Sequence, residues 1–303
     1  MQQSQGAQQT GELNATIHPA TTVGTVDLKV GNLKRSLKFY NELIGLQTFN
    51  QTEQKAVLGA GNRIILRLEE VPGAQPQPRG TTGLYHAAIL FPDRHSLAVK
   101  ISQIAAIRYP LGWADHLVSE AFYLSDPDGN GLELYRDRPR SEWGWDGKQV
   151  RMASDPIDFD NFFAEVNDND PALQNMIVPS GTTLGHVHLR ASDIPKAEWF
   201  YHDVLGFDIV AKMPGALFVS AGGYHHHLGL NTWESRGGNP PSDTSAGLRE
   251  YSIVLPDSGE LERLIVQIAA AGVNVERVDD SATLLDPSQN RIRLILPDKA
   301  SAA

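Results

Sequence analysis

The sequence predicts an α+β fold made of four βαβββ units, and two sets of internal repeats are the observations that predict it. In the first set, the strand-like segment that begins at Thr25 recurs at His186, an offset of 186 − 25 = 161 residues. The same offset carries Phe39-Tyr40 onto Phe200-Tyr201. Similarity at one fixed offset indicates repeated supersecondary units.

The second set of repeats lies further along each half of the chain. The segment Gly83–Asp93 recurs as Gly247–Asp257, and the turn Asp126-Pro-Asp-Gly-Asn130 recurs as Asp286-Pro-Ser-Gln-Asn290. Asp, Pro, Gly and Asn in such a cluster are typical of a hairpin turn. The chain order is therefore first unit, second unit, linker, third unit, fourth unit.

Each unit is predicted to open with a strand and to continue with an amphipathic helix before three further strands. Apolar residues alternate in the opening segments, as they do in a half-buried strand. A glycine, Gly45 or Gly206, follows the predicted helix of the first and the third unit. Glycine favours the left-handed conformation that commonly ends a helix.

The repeats also set the expected domain boundaries. Residues 1–21 are rich in Gln, Thr and Gly and predict a disordered tail. Residues 22–140 are expected to form an N-terminal domain of two units, and residues 181–298 a C-terminal domain of two units. The stretch 141–180 breaks the pattern and predicts a linker with one short helix, capped by Asp158.

Composition narrows the classes of function. The 303 residues contain 26 Lys and Arg against 36 Asp and Glu, a formal charge of −10 that argues against a nucleic-acid partner or an anionic membrane surface. The absence of cysteine excludes disulfides and thiolate chemistry, so any metal must bind to the ten His or to carboxylates. No apolar run reaches the ~18 residues of a membrane span, and the N-terminus lacks the features of a signal peptide. These features predict a cytoplasmic protein.

Several local motifs resemble one family. They are Leu184-Gly-His186 at the start of a strand, Phe200-Tyr201 on a helix, and the closing segment Asp126–Tyr135. With four units in one chain, they resemble the vicinal-oxygen-chelate (glyoxalase/extradiol dioxygenase) superfamily over residues 22–298. The run His225-His226-His227 and the segment Asp137–Trp143 look most like bacterial catechol-type extradiol dioxygenases.

The resemblance implies that the four units pair into two curved-sheet cups. It further implies a metal-dependent enzyme that opens the ring of a small catechol-type aromatic with O₂. Two imidazoles and one carboxylate suit non-haem Fe(II), with Mn, Ni or Zn as alternatives. We leave a homodimer open.

In this family the metal ligands stand on the first and the last strand of a unit. The last-strand positions are Glu133 in the second unit and Arg293 in the fourth. The first-strand positions of the four units, in chain order, are Thr25, His86, His186 and Glu250.

The run of three His supplies a further candidate. Strand alternation places His226 on one face, with His225 and His227 on the other. The order of residues from His226 to Leu230 resembles a last-strand ligand of this family, so we assign His226 as a ligand and keep His227 as the alternative. A polar strand edge without any ligand is the other interpretation of the run.

The fourth unit departs from the family pattern. Extradiol dioxygenases carry a Glu where this chain has Arg293 and a Tyr where it has Thr283. In one interpretation Glu250 completes a site with His186 and His226, and the units pair in chain order.

In the interpretation we favour, the second unit pairs with the third and supplies the missing groups. Glu133 then joins His186 and His226 as metal ligands, while His86 is the catalytic base and Tyr123 hydrogen-bonds the substrate. A degenerate cup, with Thr25, Ile64, Glu250 and Arg293, remains for the first and fourth units.

Two other functions stay open at this stage. A glyoxalase-like lyase or isomerase would use four ligands, His86, Glu133, His186 and His226. A non-catalytic protein would use the cup to bind an aromatic ligand without metal. His116 either lines the cup or lies on a surface loop, and His188 is expected beside the metal ligands.

Overall fold

The computed structural model describes residues 15–297, and it contains the four βαβββ units that the repeats predict. The first unit consists of β1 (Thr22–Val30), α1 (Leu33–Lys38), β2 (Gln47–Gln51), β3 (Lys55–Ala60) and β4 (Arg63–Glu70). The second consists of β5 (Gly83–Leu90), α2 (Arg94–Ala106), β6 (Gly112–Asp115), β7 (Ser119–Ser125) and β8 (Gly131–Asp137).

A short hairpin and one helix follow, namely β9 (Trp145–Asp146), β10 (Gln149–Val150) and α3 (Phe159–Phe163). The third unit consists of β11 (Thr183–Arg190), α4 (Ile194–Glu198), β12 (Asp208–Met213), β13 (Ala216–Ser220) and β14 (Leu228–Asn231). The fourth consists of β15 (Gly247–Val254), α5 (Ser258–Ala270), β16 (Val275–Val278), β17 (Ser281–Leu285) and β18 (Arg291–Ile295). Helices α1 and α4 each continue into a π-helical turn, at Phe39–Ile44 and Trp199–Val204.

The strands form two eight-stranded sheets. Each sheet combines one unit from the N-terminal half of the chain with one unit from the C-terminal half. The inner sheet, from the second and third units, has the order β12-β13-β14-β11-β5-β8-β7-β6. The outer sheet, from the first and fourth units, has the order β16-β17-β18-β15-β1-β4-β3-β2. Antiparallel pairs β5–β11 and β1–β15 join the units. The α+β fold of paired units is confirmed, and of the two pairings left open the structure has second with third.

The repeated sequence motifs contact each other in space. The hydroxyl of Tyr40 donates to Asp126 Oδ2 at 2.9 Å, and that of Tyr201 donates to Asp286 Oδ2 at the same distance. The other oxygen of each aspartate accepts two backbone N–H groups of its own turn. These buried bonds hold the first unit against the second and the third against the fourth, and so they tie the two sheets together.

The segment before β1 is packed against the protein. We expected a disordered tail through residue 21, and residues 1–14 and 298–303 lie outside the described part of the chain. Ile17, however, is only 1% exposed, and its backbone N–H donates to the Gly206 carbonyl at 2.9 Å. Burial of this apolar side chain fixes residues 15–21 on the fold.

Helix α3 lies in the segment between the two halves of the chain. The Asp158 side chain caps it by accepting a hydrogen bond from the Asn161 backbone N–H at 3.1 Å. Phe162 is fully buried against Phe122, with ring centroids 4.9 Å apart. Within residues 15–297, no helix is long and apolar enough to span a membrane.

Candidate metal centre and active site

The inner sheet holds a cavity of about 720 Å³, and all the side chains singled out for its chemistry line it. These are His86, Tyr123, Glu133, His186 and His226. The second and third units, which the linker separates in the sequence, both contribute residues to this cavity. They do so because β5 and β11 are neighbours in one sheet.

Strand register explains how three donor atoms converge. In the second unit β5 runs parallel to β8, so that Ala87 lies beside Leu132 and Ala88 beside Glu133. The Glu133 Oε2 atom is 2.9 Å from His86 Nε2 and 3.2 Å from His186 Nε2. The donor atoms of these three residues all lie within 4.8 Å of one another.

The chemistry of this donor set fits a divalent metal. Donors at right angles, each about 2.1 Å from a metal, are about 3 Å apart, which matches the two distances to Glu133 Oε2. The buried His86 Nε2 has no hydrogen bond of acceptable geometry among the described residues, although the carboxylate is close. A cation would satisfy this orphaned nitrogen.

The protonation states also suit metal binding. Burial lowers the pKa of His186 to about 4, so its imidazole is neutral at pH 7. Burial alone would raise the pKa of Glu133, but the adjacent His186 and His86 overcome it and hold that pKa well below its usual range. An ionised carboxylate and a neutral imidazole are the forms of these two side chains that ligate a metal.

His226 lies beside this group without joining it. Its ring centroid is 4.1 Å from that of His186, and its side chain lines the same cavity. Strand β14 begins only at Leu228, which lies beside Val187, and Gly229 lies beside His188. Gly229 therefore occupies the register position that corresponds to Glu133, three residues after His226. The spacing argument placed the last strand of the third unit too early, because it counted the preceding loop as strand.

The three consecutive His point in three different directions, and none of them belongs to strand β14, so strand alternation does not apply to them. His226 lines the inner cavity, whereas His227 lines a separate cavity. His225 is fully buried, and its Nε2 is 2.8 Å from Asp137 Oδ1. All three side chains are at least 92% buried, and none of them belongs to the group of donor atoms around Glu133.

A hydrogen-bonded chain fixes the tautomer of His226. Because a carboxylate only accepts, a His225 ring with a single proton donates it from Nε2 to Asp137 and can only accept at Nδ1. His226 Nδ1 lies 2.9 Å from that atom and must donate to it. Burial holds the pKa of His226 well below its usual range. A neutral His226 protonated on Nδ1 keeps a free lone pair on Nε2.

Tyr123 is oriented by His116, a residue whose position the sequence left undecided. His116 Nδ1 donates to the Ala153 carbonyl at 2.6 Å, so its Nε2 accepts from the Tyr123 hydroxyl at 2.6 Å. Burial, aided by Glu133, raises the pKa of Tyr123 well above its usual value, so the phenol stays protonated. Both side chains line the inner cavity.

The corresponding positions of the outer sheet carry no comparable donor set. Register places Arg67 beside Asp27 and Arg293 beside Ser252, so Arg67 and not Ile64 corresponds to Glu133 in the first unit. Arg293 Nη1 lies 3.7 Å from Glu250 Oε1. Glu250 thus has a cationic neighbour where a second metal site would need another ligand.

Fold and site together define the class of protein. The chain belongs to the Glyoxalase/Bleomycin resistance protein/Dioxygenase superfamily, whose family model matches residues 22–134 and 183–294. The resemblance inferred from the sequence motifs is confirmed. Over 278 residues the chain is 44% identical to the catechol-2,3-dioxygenase of Bacillus subtilis (strain 168), an alignment that covers 90% of this chain and 96% of that protein.

Solved structures support the fold. A proposed dioxygenase from Bacillus subtilis subsp. subtilis str. 168 superposes with a TM-score of 0.64 at 12% identity, covering 94% of this chain and 87% of that one. Glyoxalase I from Zea mays superposes with a TM-score of 0.54 at 17% identity, covering 91% and 92%. At these identities the likeness concerns the arrangement of the units.

Proposed function

We propose that this chain is a catechol-type extradiol dioxygenase that opens the ring of a small aromatic diol with O₂. The observation that carries the proposal is the convergence of His86, Glu133 and His186 in a cavity that also contains a neutral imidazole and a phenol. The 44% identical relative, a catechol-2,3-dioxygenase, supports the same activity.

We assign the metal to His86, Glu133 and His186, with Fe(II) as the preferred ion over Mn, Ni or Zn. When bound, Fe(II) would act as a Lewis acid toward the two adjacent oxygens of the substrate and would allow O₂ to react with it. This assignment exchanges the roles that the sequence suggested, because His86 becomes a ligand and His226 takes over proton transfer.

His226 is the base in this proposal. The chain of hydrogen bonds from Asp137 through His225 leaves its Nε2 free to accept a proton from a substrate hydroxyl. His225 and Asp137 can stabilise the cationic imidazole that forms, since the carboxylate is one residue away from it in the chain of bonds. Proton transfer by a positioned side chain typically contributes about 10²–10⁴-fold.

Tyr123 positions the substrate. Its hydroxyl proton is committed to His116 Nε2, so the phenolic oxygen keeps lone pairs with which to accept a bond from the second substrate hydroxyl. His116 acts through Tyr123 and is a positioning residue. The half-exposed Trp233 and the side chains of Tyr85 and Phe218 line the same cavity and offer apolar surface to an aromatic ring.

A glyoxalase-like lyase on four ligands is less well supported. The position that would supply the fourth ligand, from β14, is occupied by Gly229, and the side chain of His188 fills that space. A Cβ added to Gly229 would lie 2.9 Å from the His188 ring. The cytoplasmic location and a homodimer remain predictions.

One purification tests the activity and its rivals. The protein is purified anaerobically with Fe(II), analysed for metal, and mixed with catechol in an oxygen electrode cell while the yellow ring-cleaved product is followed optically. We expect one iron per chain and one O₂ consumed per product formed. Iron binding without O₂ uptake would favour the lyase, and protein that holds no metal would favour the simple binding protein.

A further inference from the structure

A second cavity, of about 830 Å³, lies on the outer sheet and extends to the ends of β5 and β11. Among residues 15–297, four arginines line it and no Asp or Glu does. The four are Arg63, Arg67, Arg140 and Arg293. The chain as a whole carries a formal charge of −10, so the positive charge of this cluster is opposite in sign to the net charge of the protein.

Two of these arginines stand where a metal ligand stands in the inner sheet. Arg67 and Arg293 occupy the register positions on β4 and β18 that correspond to Glu133 on β8. The repeated unit therefore presents a guanidinium group in the outer cup where it presents a carboxylate in the inner cup. The side chain at this register position is therefore negatively charged in the inner sheet, where it suits a cation, and positively charged in the outer sheet, where it suits an anion.

The nearby carboxylates neutralise only part of this charge. Arg67 Nη1 is 3.5 Å from Asp27 Oδ1, and Arg293 Nη1 is 3.7 Å from Glu250 Oε1. Neither contact has the short, two-pronged geometry of a saturated arginine–carboxylate pair. Among residues 15–297, Arg63 and Arg140 have no carboxylate within 4 Å, so two positive charges remain uncompensated.

His227, the ligand alternative that the active site does not use, adds a directed donor. The Ala221 backbone N–H donates to His227 Nδ1 at 3.2 Å, so the neutral ring must carry its proton on Nε2. Burial lowers the pKa of His227 to about 3, which keeps the ring neutral. The Nε2–H group has no hydrogen-bond acceptor in the part of the chain that the structure describes, and the side chain lines the cavity.

The rest of the cavity wall is apolar. It includes Phe49, Ile64, Leu184, Val254 and Ile295. Thr25 Oγ1 accepts from Arg67 Nη1 at 2.8 Å and thereby orients one guanidinium. Fixed cationic donors beside an apolar wall suit a ligand with one charged end and one hydrocarbon or aromatic body.

We propose that the outer cavity binds a small organic carboxylate, whose anionic oxygens are held by Arg67, Arg293 and His227 and whose apolar body lies on the hydrocarbon wall. Planar guanidinium groups match the planar carboxylate and bind it through paired hydrogen bonds. The proposal does not depend on the reaction at the inner site.

Isothermal titration calorimetry of the purified protein with benzoate tests the proposal. Benzamide serves as the neutral probe of the same shape, and inorganic phosphate as the anion without an apolar body. The variants Arg293→Gln and Arg67→Gln remove one cation each. Arg277→Gln is the control, because Arg277 lies on β16 outside the cavity lining. Thermal unfolding of each variant verifies that it is folded.

We expect one benzoate per chain, no detectable binding of benzamide, and at least tenfold weaker binding in Arg293→Gln and Arg67→Gln. Arg277→Gln should bind as the wild type does, and Arg293→Lys should recover part of the loss. Benzoate binding that is unchanged in both Gln variants would overturn the proposal, as would a wild type that binds no benzoate. Phosphate bound in preference to benzoate would overturn the organic-carboxylate assignment. None of these outcomes depends on O₂ uptake, so the proposed dioxygenase activity can fail or succeed separately.

Discussion

The Glu133 carboxylate lies 3.2 Å from His186 Nε2, although the two residues are 53 positions apart and belong to different units. The contact exists because the β5–β11 pair joins the second unit to the third within one sheet. Had the units paired in chain order, the same residues would lie in separate cups.

This contact predicts which glutamate retains the metal. Glu133→Ala should abolish iron retention, because two neutral imidazoles alone bind Fe(II) weakly. Glu250→Ala is the matched control, since Glu250 lies beside Arg293 in the outer sheet, and it should retain iron as the wild type does. Metal analysis after gel filtration gives the result. Iron lost from the Glu250 variant and kept by the Glu133 variant would reverse our assignment.

His226 and His86 should respond differently to the same substitution. His226→Gln is expected to keep its iron and to lose about 10²–10⁴-fold in kcat, the range for loss of a general base. His86→Gln should lose the iron itself. Iron content and steady-state O₂ uptake are measured on both variants. If the His226 variant were the one without iron, His226 would be a ligand, as the spacing first suggested.

The contact between Tyr123 and His116 predicts coupled effects. Tyr123→Phe should lower kcat more than it changes KM, because the phenol contacts the reacting oxygen in the proposed complex. His116→Gln should have a smaller effect of the same kind. In the double variant the losses should not add, since His116 acts through a hydroxyl that is already absent. Additive losses in this double-mutant cycle would show that His116 acts independently.

Lys100 predicts a pH dependence of stability. Its side chain is 2% exposed, its ammonium donates to the Met176 carbonyl at 2.8 Å, and burial lowers its pKa to about 8. The unfolded chain then binds more protons than the folded protein between pH 8 and 10.5, so the contribution of Lys100 to stability increases across that range. The difference in pKa corresponds to about 3 kcal/mol at most.

Urea unfolding of the wild type and of Lys100→Met, at pH 7 and at pH 10, measures this effect. The free energy of unfolding of the wild type should rise relative to that of the variant as the pH increases. Lys38→Met, at an exposed position of α1, should show no such change. A constant difference between the wild type and Lys100→Met at the two pH values would contradict the assignment.

The repeats in the sequence were sufficient to predict the units, because each repeated motif has a local physical cause. The Asp126 and Asp286 turns satisfy their own backbone groups, and helix and strand patterns depend on neighbours a few residues away. The pairing of units depends on contacts between segments more than 200 residues apart in the outer sheet, such as Thr22 and Val254. In the sequence, one observation favoured pairing of the second unit with the third, namely that these two units carry the residues suited to metal binding and proton transfer.

The roles of individual side chains were harder to predict. The sequence placed five residues in one cavity. The exchange of roles that we propose for His86 and His226 depends on where β14 begins, and the loop 221–227 before it carries no clear signal in the sequence. The tautomers of His116 and His226 depend on single hydrogen bonds to Ala153 and His225. Such bonds join segments whose proximity only the folded structure defines.

The nested pairing of the units also affects how the protein emerges from the ribosome. Every strand of the inner sheet lies between Gly83 and Asn231, so the whole sheet that holds the candidate active site is synthesised before the fourth unit begins. Strand β1 is synthesised first, and its second edge stays unpaired until β15 has been synthesised. An open strand edge invites pairing with other chains. A nascent or truncated chain is therefore exposed to aggregation at β1 while the sheet that holds the candidate active site is already complete.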